Sequence, residues 1–453
     1  MSQESVEQAI ERAGSAVELL RNSPIRPHTF PVRAEFTNWR TEQRAWRDSV
    51  ALLDQSHHMT DLYIQGPDAL RLLSDLGVNS FADFGPGRAK QYVAVNHDGQ
   101  LIGDAVLFHL EQGVFDLVGH PPVLDWVQYN VETGDYDATT ERDDNSYDRV
   151  SGPPKVYRYE LQGPNALALL EKVTGAPVPE TRFFHMATFT IAGHQVRGLR
   201  HGMAGQPGFE LFGPWEEGEA VREAILAKGE AFDLVQVGAK AYSTANLESA
   251  WVPAPMPAVF SGEKMKGYRE WLKTPAMGSL GGSMDSPNIE DYYLTPYDIG
   301  YGSIVKFDHD FVGREALAKT AQNPPRTKVT LVWNEEDVAR AIGSLYQSDE
   351  LPAKFIEFPK ARYALHQSDK VLLDGELVGI SMDVGYIANE RAMVSLATLD
   401  RVHSEPGTQV TVVWGESPNS AKPGVEAHRQ TEIRATVAPA PYVRFARETY
   451  RNK

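Results

Sequence analysis

One short stretch occurs twice in this chain. Tyr63-Ile64-Gln65-Gly66-Pro67-Asp68-Ala69-Leu70 returns as Glu160-Leu161-Gln162-Gly163-Pro164-Asn165-Ala166-Leu167, a shift of 97 residues. Both copies run on into a Leu-Leu pair, Leu72-Leu73 and Leu169-Leu170. Each copy reads as a strand, a Gly-Pro turn that starts a helix, and an apolar helix face. A period this long is too long for a solenoid. It predicts two α/β modules of one design.

The hairpin signals repeat as well. Strands are predicted at Gln91 to Val95, Leu101 to Leu110 and Val114 to Val118. Turns lie at Asn96 to Gln100 and Glu111 to Gly113. The second module carries a hairpin from Ala187 to Phe212 that turns at Ala192-Gly193-His194. Ahead of the repeat, residues 4–22 predict one helix. Thr37 or Asn38 caps another that runs through Trp46, and Met59 to Ile64 predicts a strand. The acidic stretch Glu141 to Asp148 predicts a surface loop. Residues 253–300 are rich in Pro, Gly and Ser and predict a long irregular connection, of the kind that often carries function. From Lys328 to Phe445 the short strands and frequent turns predict a separate all-β domain. The division expected is 1–150, 151–325 and 326–453, consistent with about three domains for 453 residues.

Composition narrows the function. A net charge of −17 repels nucleic acid and anionic membrane surfaces. The absence of cysteine removes disulfides, thiolate metal sites and cysteine nucleophiles. No signal peptide and no membrane span are expected, which places the chain in the cytoplasm. Gly278 to Ser283 is no phosphate loop, because no Gly-Lys-Ser/Thr follows. No metal site is expected. Asp308-His309-Asp310 is read as a turn, and His57 and His58 are expected to face opposite ways.

The stretch Gly238 to Trp251 reads as a helix with Tyr242 and Ser249 on one face. Pro253 ends it before Trp251. Spacing alone assigns Tyr242 and Trp251 to core packing.

Resemblance adds a function. Ala241 to Ser249, with its Leu247-Glu248, resembles the A-R-D-x-L-R-L-E-A-G segment of the aminomethyltransferase (glycine-cleavage T-protein) family, with Tyr242 where that family has arginine. Phe307 to Leu317 resembles its F-D-x-D-F-I-G-R-E-A-L box. Gly208-Phe209-Glu210 resembles its G-[FY]-E motif. Gly103-Asp104 resembles its paired aspartates, with glycine in the first place. Leu53 to Met59, Asn38 to Gln43 and Ser286 to Tyr293 are similar to the tetrahydrofolate-dependent aryl-ether branch, the vanillate O-demethylases and the sesamin-converting enzymes.

The resemblance implies an α+β fold: two duplicated ferredoxin-like α/β modules forming a folate-binding unit, plus a C-terminal β-barrel or jelly-roll-like domain. It implies tetrahydrofolate as cofactor and a small aromatic ether as partner. It places Tyr242 and His58 in catalysis. Phe30, Gln55, Met59, His120 and Ser283 fall around the aromatic substrate, and Glu160, Phe183, Glu210 and Trp251 around the folate. Glu160 stands where a glutamine is expected, and Phe30 where the branch has a tyrosine. His120 replaces an arginine that holds a substrate carboxylate.

The chemistry suits these residues. An aryl ether leaves as a phenolate, so a proton donor must meet the departing oxygen. A tyrosine, with an ordinary pKa near ~10, is matched to a phenol leaving group. Phe30 and His120 both make the pocket less polar. A neutral methylenedioxyphenyl substrate of the sesamin type is therefore expected, with a vanillate- or syringate-type methoxyarene as the alternative and a non-catalytic folate-binding protein as a second class.

Overall fold

The computed structural model describes residues 4–274, 278–420 and 422–450. Part of the predicted irregular connection, 275–277, lies outside the described residues.

The predicted first helix is two helices, α1 (Val6–Ala13) and α2 (Ala16–Arg21). Gly14 takes the left-handed conformation that stops α1, and Ser15 caps α2 by accepting from the Glu18 N–H. An extended segment follows. Then Asn38 caps α3 (Trp39–Asp48), its side chain accepting the Thr41 N–H at 3.0 Å.

The duplication is visible element by element. The first copy runs β2 (Thr60–Gln65), α4 (Ala69–Leu76), β3 (Arg88–Val95), β4 (Leu101–Glu111), β5 (Val114–Gly119), α5 (Pro121–Thr133) and β6 (Thr139–Asp143). The second runs β7 (Val156–Gln162), α6 (Ala166–Thr174), β8 (Met186–Ile191), β9 (His194–Leu199), β10 (Gly208–Pro214), α7 (Gly218–Gly229) and β11 (Leu234–Val237). The first sheet has the order β3-β4-β5-β2-β6 and the second β8-β9-β10-β7-β1-β11, where β1 is Val50–Asp54. The two orders are the same apart from one insertion. Strand β1, which precedes the first copy, is laid between β7 and β11 of the second sheet.

The turn glycines explain why the repeat survives in sequence. Gly66 and Gly163 share one backbone conformation, φ 136° and 135°. A Cβ there would meet the Asp137 carbonyl oxygen at 2.4 Å and that of Ser49 at 2.5 Å. The acidic stretch 141–148 is not wholly a surface loop. Its start belongs to β6, and Asp143 is buried because Arg149 pairs with it at 2.7 Å.

The sheets meet across a dry seam of Phe108, Val118, Leu199 and Phe212. Arg88 of β3 bridges His185 at the start of β8. These are again residues 97 apart, so equivalent edges of the two copies touch.

The C-terminal strands close into a six-stranded barrel. Its order is Glu376–Ile387, Asp369–Leu373, Gln409–Trp414, Thr431–Ala438, Arg326–Trp333 and Ala392–Asp400, and the last pairs back with the first. The expectation of an all-β domain is corrected by two helices, Glu335–Gly343 and Arg444–Glu448. The first is capped by Asn334 and opened by Glu335, Glu336 and Asp337. The irregular connection ties the barrel to the rest, with Leu280-Gly281 pairing in parallel with His366-Gln367. Among the described residues no helix is long and apolar enough to cross a membrane.

Candidate active site

Strand β7 alternates. Tyr157, Tyr159 and Leu161 enter the core against α6 and α7, so Arg158, Glu160 and Gln162 face the other way. Register places Glu160 directly opposite Glu210 on β10 and opposite Leu53 on β1. Gln55, just past β1, anchors its N–H on the Arg158 carbonyl at 2.8 Å. One face of the second sheet therefore carries a polar row of Gln55, Arg158, Glu160, Gln162 and Glu210.

Two buried carboxylates on facing strands repel, and each is relieved differently. Glu160 accepts from the side chains of Gln55 and Gln162, the latter at 2.5 Å, and from the Met203 N–H at 2.7 Å. Burial nonetheless raises its pKa to about 8, helped by the charge of Glu210. Burial also raises Glu210, but the Arg158 guanidinium 3.1 Å away opposes it. The second Glu210 oxygen has no hydrogen-bond partner among the described residues, so it can accept from a ligand. Burial opposes the charge of Arg158, yet Asp61, Asp116 (2.9 Å) and Glu210 around it hold the cation firmly protonated. Its guanidinium carbon sits 5.3 Å and 5.1 Å from the rings of Phe108 and Phe212.

Tyr242 closes the row from above. The predicted single helix is two short ones, α8 (Ala239–Tyr242) and α9 (Ala245–Ser249), so Tyr242 and Ser249 do not share a face. The Tyr242 hydroxyl is hydrogen-bonded to His58 Nε2. Burial, then the charges of Glu160 and Glu210, raise the Tyr242 pKa well above 10, so the phenol stays protonated. Burial lowers His58 to about 3, aided by His120, His57 and Arg158, so the imidazole is neutral. His57 and His58 lie in the turn between β1 and β2. They diverge as expected, His57 toward Ser146 (2.8 Å) and Trp215. The Phe30 ring stands edge-on to His58 at 5.9 Å. Met59 packs into the apolar seam between the sheets.

A second wall lies on the His120 side of His58, where the charge of His120 acts on that imidazole. Ala250, left-handed at φ 58°, ends α9 and turns the chain into Trp251. The Trp251 indole donates to Asp104 Oδ2 at 2.8 Å, which also accepts from Gln91 (2.5 Å) and the Tyr301 hydroxyl (2.7 Å). Thus Asp104, the one aspartate kept from the paired motif, orients the indole. The His120 ring lies parallel to Trp251, 6.2 Å between centres. Burial lowers His120 to about 4, with Arg362, His28 and His366 adding to the effect.

Two further expected residues have partners of their own. Ser283 is committed to the barrel: its hydroxyl donates to the Val413 carbonyl at 2.6 Å and accepts the Lys370 N–H at 2.9 Å. Its hydroxyl hydrogen is thus already used within the barrel. Phe183 lies at the rim of the second sheet, ring to ring with Phe184, His201 and Tyr450. In the Asp308-His309-Asp310 turn, Asp308 accepts from Ser80 (2.6 Å) and His309 bonds the Gly77 carbonyl. A cleft of about 430 Å³ opens on the opposite face of the second sheet, beside Leu52, Tyr159 and Arg222; no expected site residue lines it.

The structure thus gathers Phe30, Gln55, His58, Glu160, Glu210 and Tyr242, with Trp251 and His120 as a second wall. Arg158 and Asp104 are needed to set their charges and orientations. Arg158 was legible as the polar partner of Glu160 in the alternation of Tyr157 to Gln162.

Comparisons with known proteins agree with this architecture. A family model described as the GCVT N-terminal domain matches residues 14–254. A syringate O-demethylase of Sphingobium sp. (strain NBRC 103272 / SYK-6) is 48% identical, over 98% of this chain and 97% of that protein. A sesamin methylene transferase of Sinomonas sp. (strain No.22) is 32% identical, over 85% and 84%. The crystal structure of the glycine cleavage system aminomethyltransferase T from Bartonella henselae superposes with a TM-score of 0.62 at 18% identity, covering 98% of each chain.

Proposed function

The chain belongs to the GCVT family, and from that premise we propose that it is a tetrahydrofolate-dependent O-demethylase of methoxylated aromatic acids. The observation that carries the reading is the Tyr242–His58 pair seated over two buried carboxylates. Likeness to a syringate O-demethylase along 98% of the chain supports a methoxyarene as the ether. The methylenedioxyphenyl substrate favoured on sequence has weaker support, because the relative named for sesamin is 32% identical.

Tetrahydrofolate, when bound, supplies the N5 amine that accepts the carbon. Glu210 would take the donor edge of its pterin on the oxygen that Arg158 leaves open, and Trp251 would offer a flat face held by Asp104. Tyr242 holds the proton for the departing ether oxygen, a contribution of typically ~10²–10⁴-fold. His58, neutral and in the Nε2–H tautomer, donates to the Tyr242 oxygen. That leaves the phenol hydrogen for the ether and steadies the oxygen as the proton moves. Phe30 packs the open side of His58 and helps keep water from the pair.

The test is to incubate the purified protein with tetrahydrofolate and either syringate, vanillate or sesamin, and to identify the folate product by mass spectrometry. The expected outcome is 5-methyl-tetrahydrofolate and a demethylated phenol from a methoxybenzoate. Folate binding without turnover of any ether, or 5,10-methylene-tetrahydrofolate formed from sesamin in preference, would overturn it.

A further inference from the structure

A benzoate entering a dry pocket needs a cation that nothing else has neutralised. His120, which stands where the resembled branch has an arginine, is neutral at pH 7. Arg158 is already surrounded by Asp61, Asp116 and Glu210. Arg88 donates to the Asp83 carbonyl, and Lys90 donates to the Ser80 carbonyl over the rings of Phe81 and Phe84.

Arg362, between the barrel strands Arg326–Trp333 and Asp369–Leu373, is different. It lines a small cavity with Val252, Pro253 and Ala254, the residues that directly follow Trp251. Its Nε and Nη2 donate to the carbonyls of Ala364 (3.3 Å) and Leu365 (2.6 Å). Those neutral acceptors fix the guanidinium without cancelling its charge. The nearby carboxylate, Asp383, is already paired with Lys360 at 2.6 Å and accepts from Asn246. Lys360, Asp383 and Arg362 together therefore leave one positive charge. Arg362 Nη1 has no hydrogen-bond partner among the described residues. Its charge reaches His120, His28 and His366 and disfavours protonation of each.

Resting on the O-demethylase reading above, we propose that Arg362 binds the carboxylate of the aromatic acid and so sets the preference for acids over neutral ethers. The C-terminal region then contributes directly to substrate choice. A folate glutamate tail carries the same carboxylate chemistry, so the experiment must separate the two.

The experiment compares kcat/KM for syringate with that for 2,6-dimethoxyphenol, the same ring without its carboxylate. It uses the full chain, Arg362→Gln and Arg362→Lys, with tetrahydrofolate varied independently. Because the result is a ratio, a loss of folded protein cancels. Arg362→Gln is expected to lower the acid-over-phenol ratio about 10- to 100-fold, and Arg362→Lys to recover part of it. An unchanged ratio overturns the proposal. So does an unchanged ratio with a raised KM for tetrahydrofolate, which assigns Arg362 to the glutamate tail. If the unaltered protein demethylates neither ether, the O-demethylase reading fails. Calorimetric binding of syringate, weaker in Arg362→Gln or not, still decides the role of Arg362.

Discussion

The two copies of the duplicated module place different residues at matching positions. In the second, Glu160 faces Glu210 across β7 and β10. In the first, the matching pair across β2 and β5 is Tyr63 and Asp116. Arg158 of the second copy matches Asp61 of the first, and the two form an ion pair. One scaffold position is thus a candidate ligand group in one copy and a structural anchor in the other. Burial and Asp61 drive Asp116 toward its protonated form, while Arg158 opposes that shift. The difference teaches that the second sheet presents the working face and the first sheet supplies its counter-charges.

The sharpest way to break this comparison is at Arg158. Arg158→Met strips the cation from three buried carboxylates and should cost about 3–5 kcal/mol of stability, read as a lowered denaturation midpoint. A change below ~1 kcal/mol would mean the seam does not depend on the pair. Next comes the group above the second copy. Tyr242→Phe should retain the fold and folate binding but lose ~10²–10⁴-fold in single-turnover rate. A wild-type rate would remove Tyr242 as proton donor.

The matched carboxylates then separate binding from anchoring. Glu210→Ala should weaken tetrahydrofolate binding by about 1–3 kcal/mol in calorimetry. Asp116→Asn should lower stability with little effect on that affinity. Equal effects on folate binding would erase the distinction between the copies.

The remaining test, at Glu160, is read against pH. Its carboxyl is raised from 4.5 to about 8 in the folded chain. The folded state therefore holds a proton that the unfolded state releases, and stability falls as pH rises between those values. Glu160→Gln should remove that slope, its advantage absent at pH 4 and growing toward pH 8, read as denaturation midpoints across that range. Parallel pH–stability curves for the two proteins would refute the shift.

Much of this was legible in the sequence, for identifiable reasons. The Gly66 and Gly163 turns are read easily because their backbone excludes a side chain. A second echo of the duplication, Phe115-Asp116-Leu117 against Phe209-Glu210-Leu211, could have matched Asp116 to Glu210 from sequence alone. The placement of β1 in the second sheet could not be read, since strand pairing between distant segments leaves no local trace. The helix at 335–343 was hidden by the β-rich runs around it, although its cap was present. The bonding of Ser283 could not be read either, because a motif gives a residue's address but not where its hydroxyl is already bonded. Arg362 escaped notice because its role depends on Lys360 having claimed Asp383.

The pairing of Arg158 with Asp61 also decides what each half of this unit can dock against. If the first half met a second copy of itself along the same seam, it would gather two copies of Asp61 and two of Asp116, and no counterpart of Arg158. Four carboxyl groups in a dry seam could be tolerated only by taking up protons. The cation that permits closure is carried by the other half alone. The duplicated scaffold is therefore keyed, so that its halves fit each other and the first is barred from its own likeness.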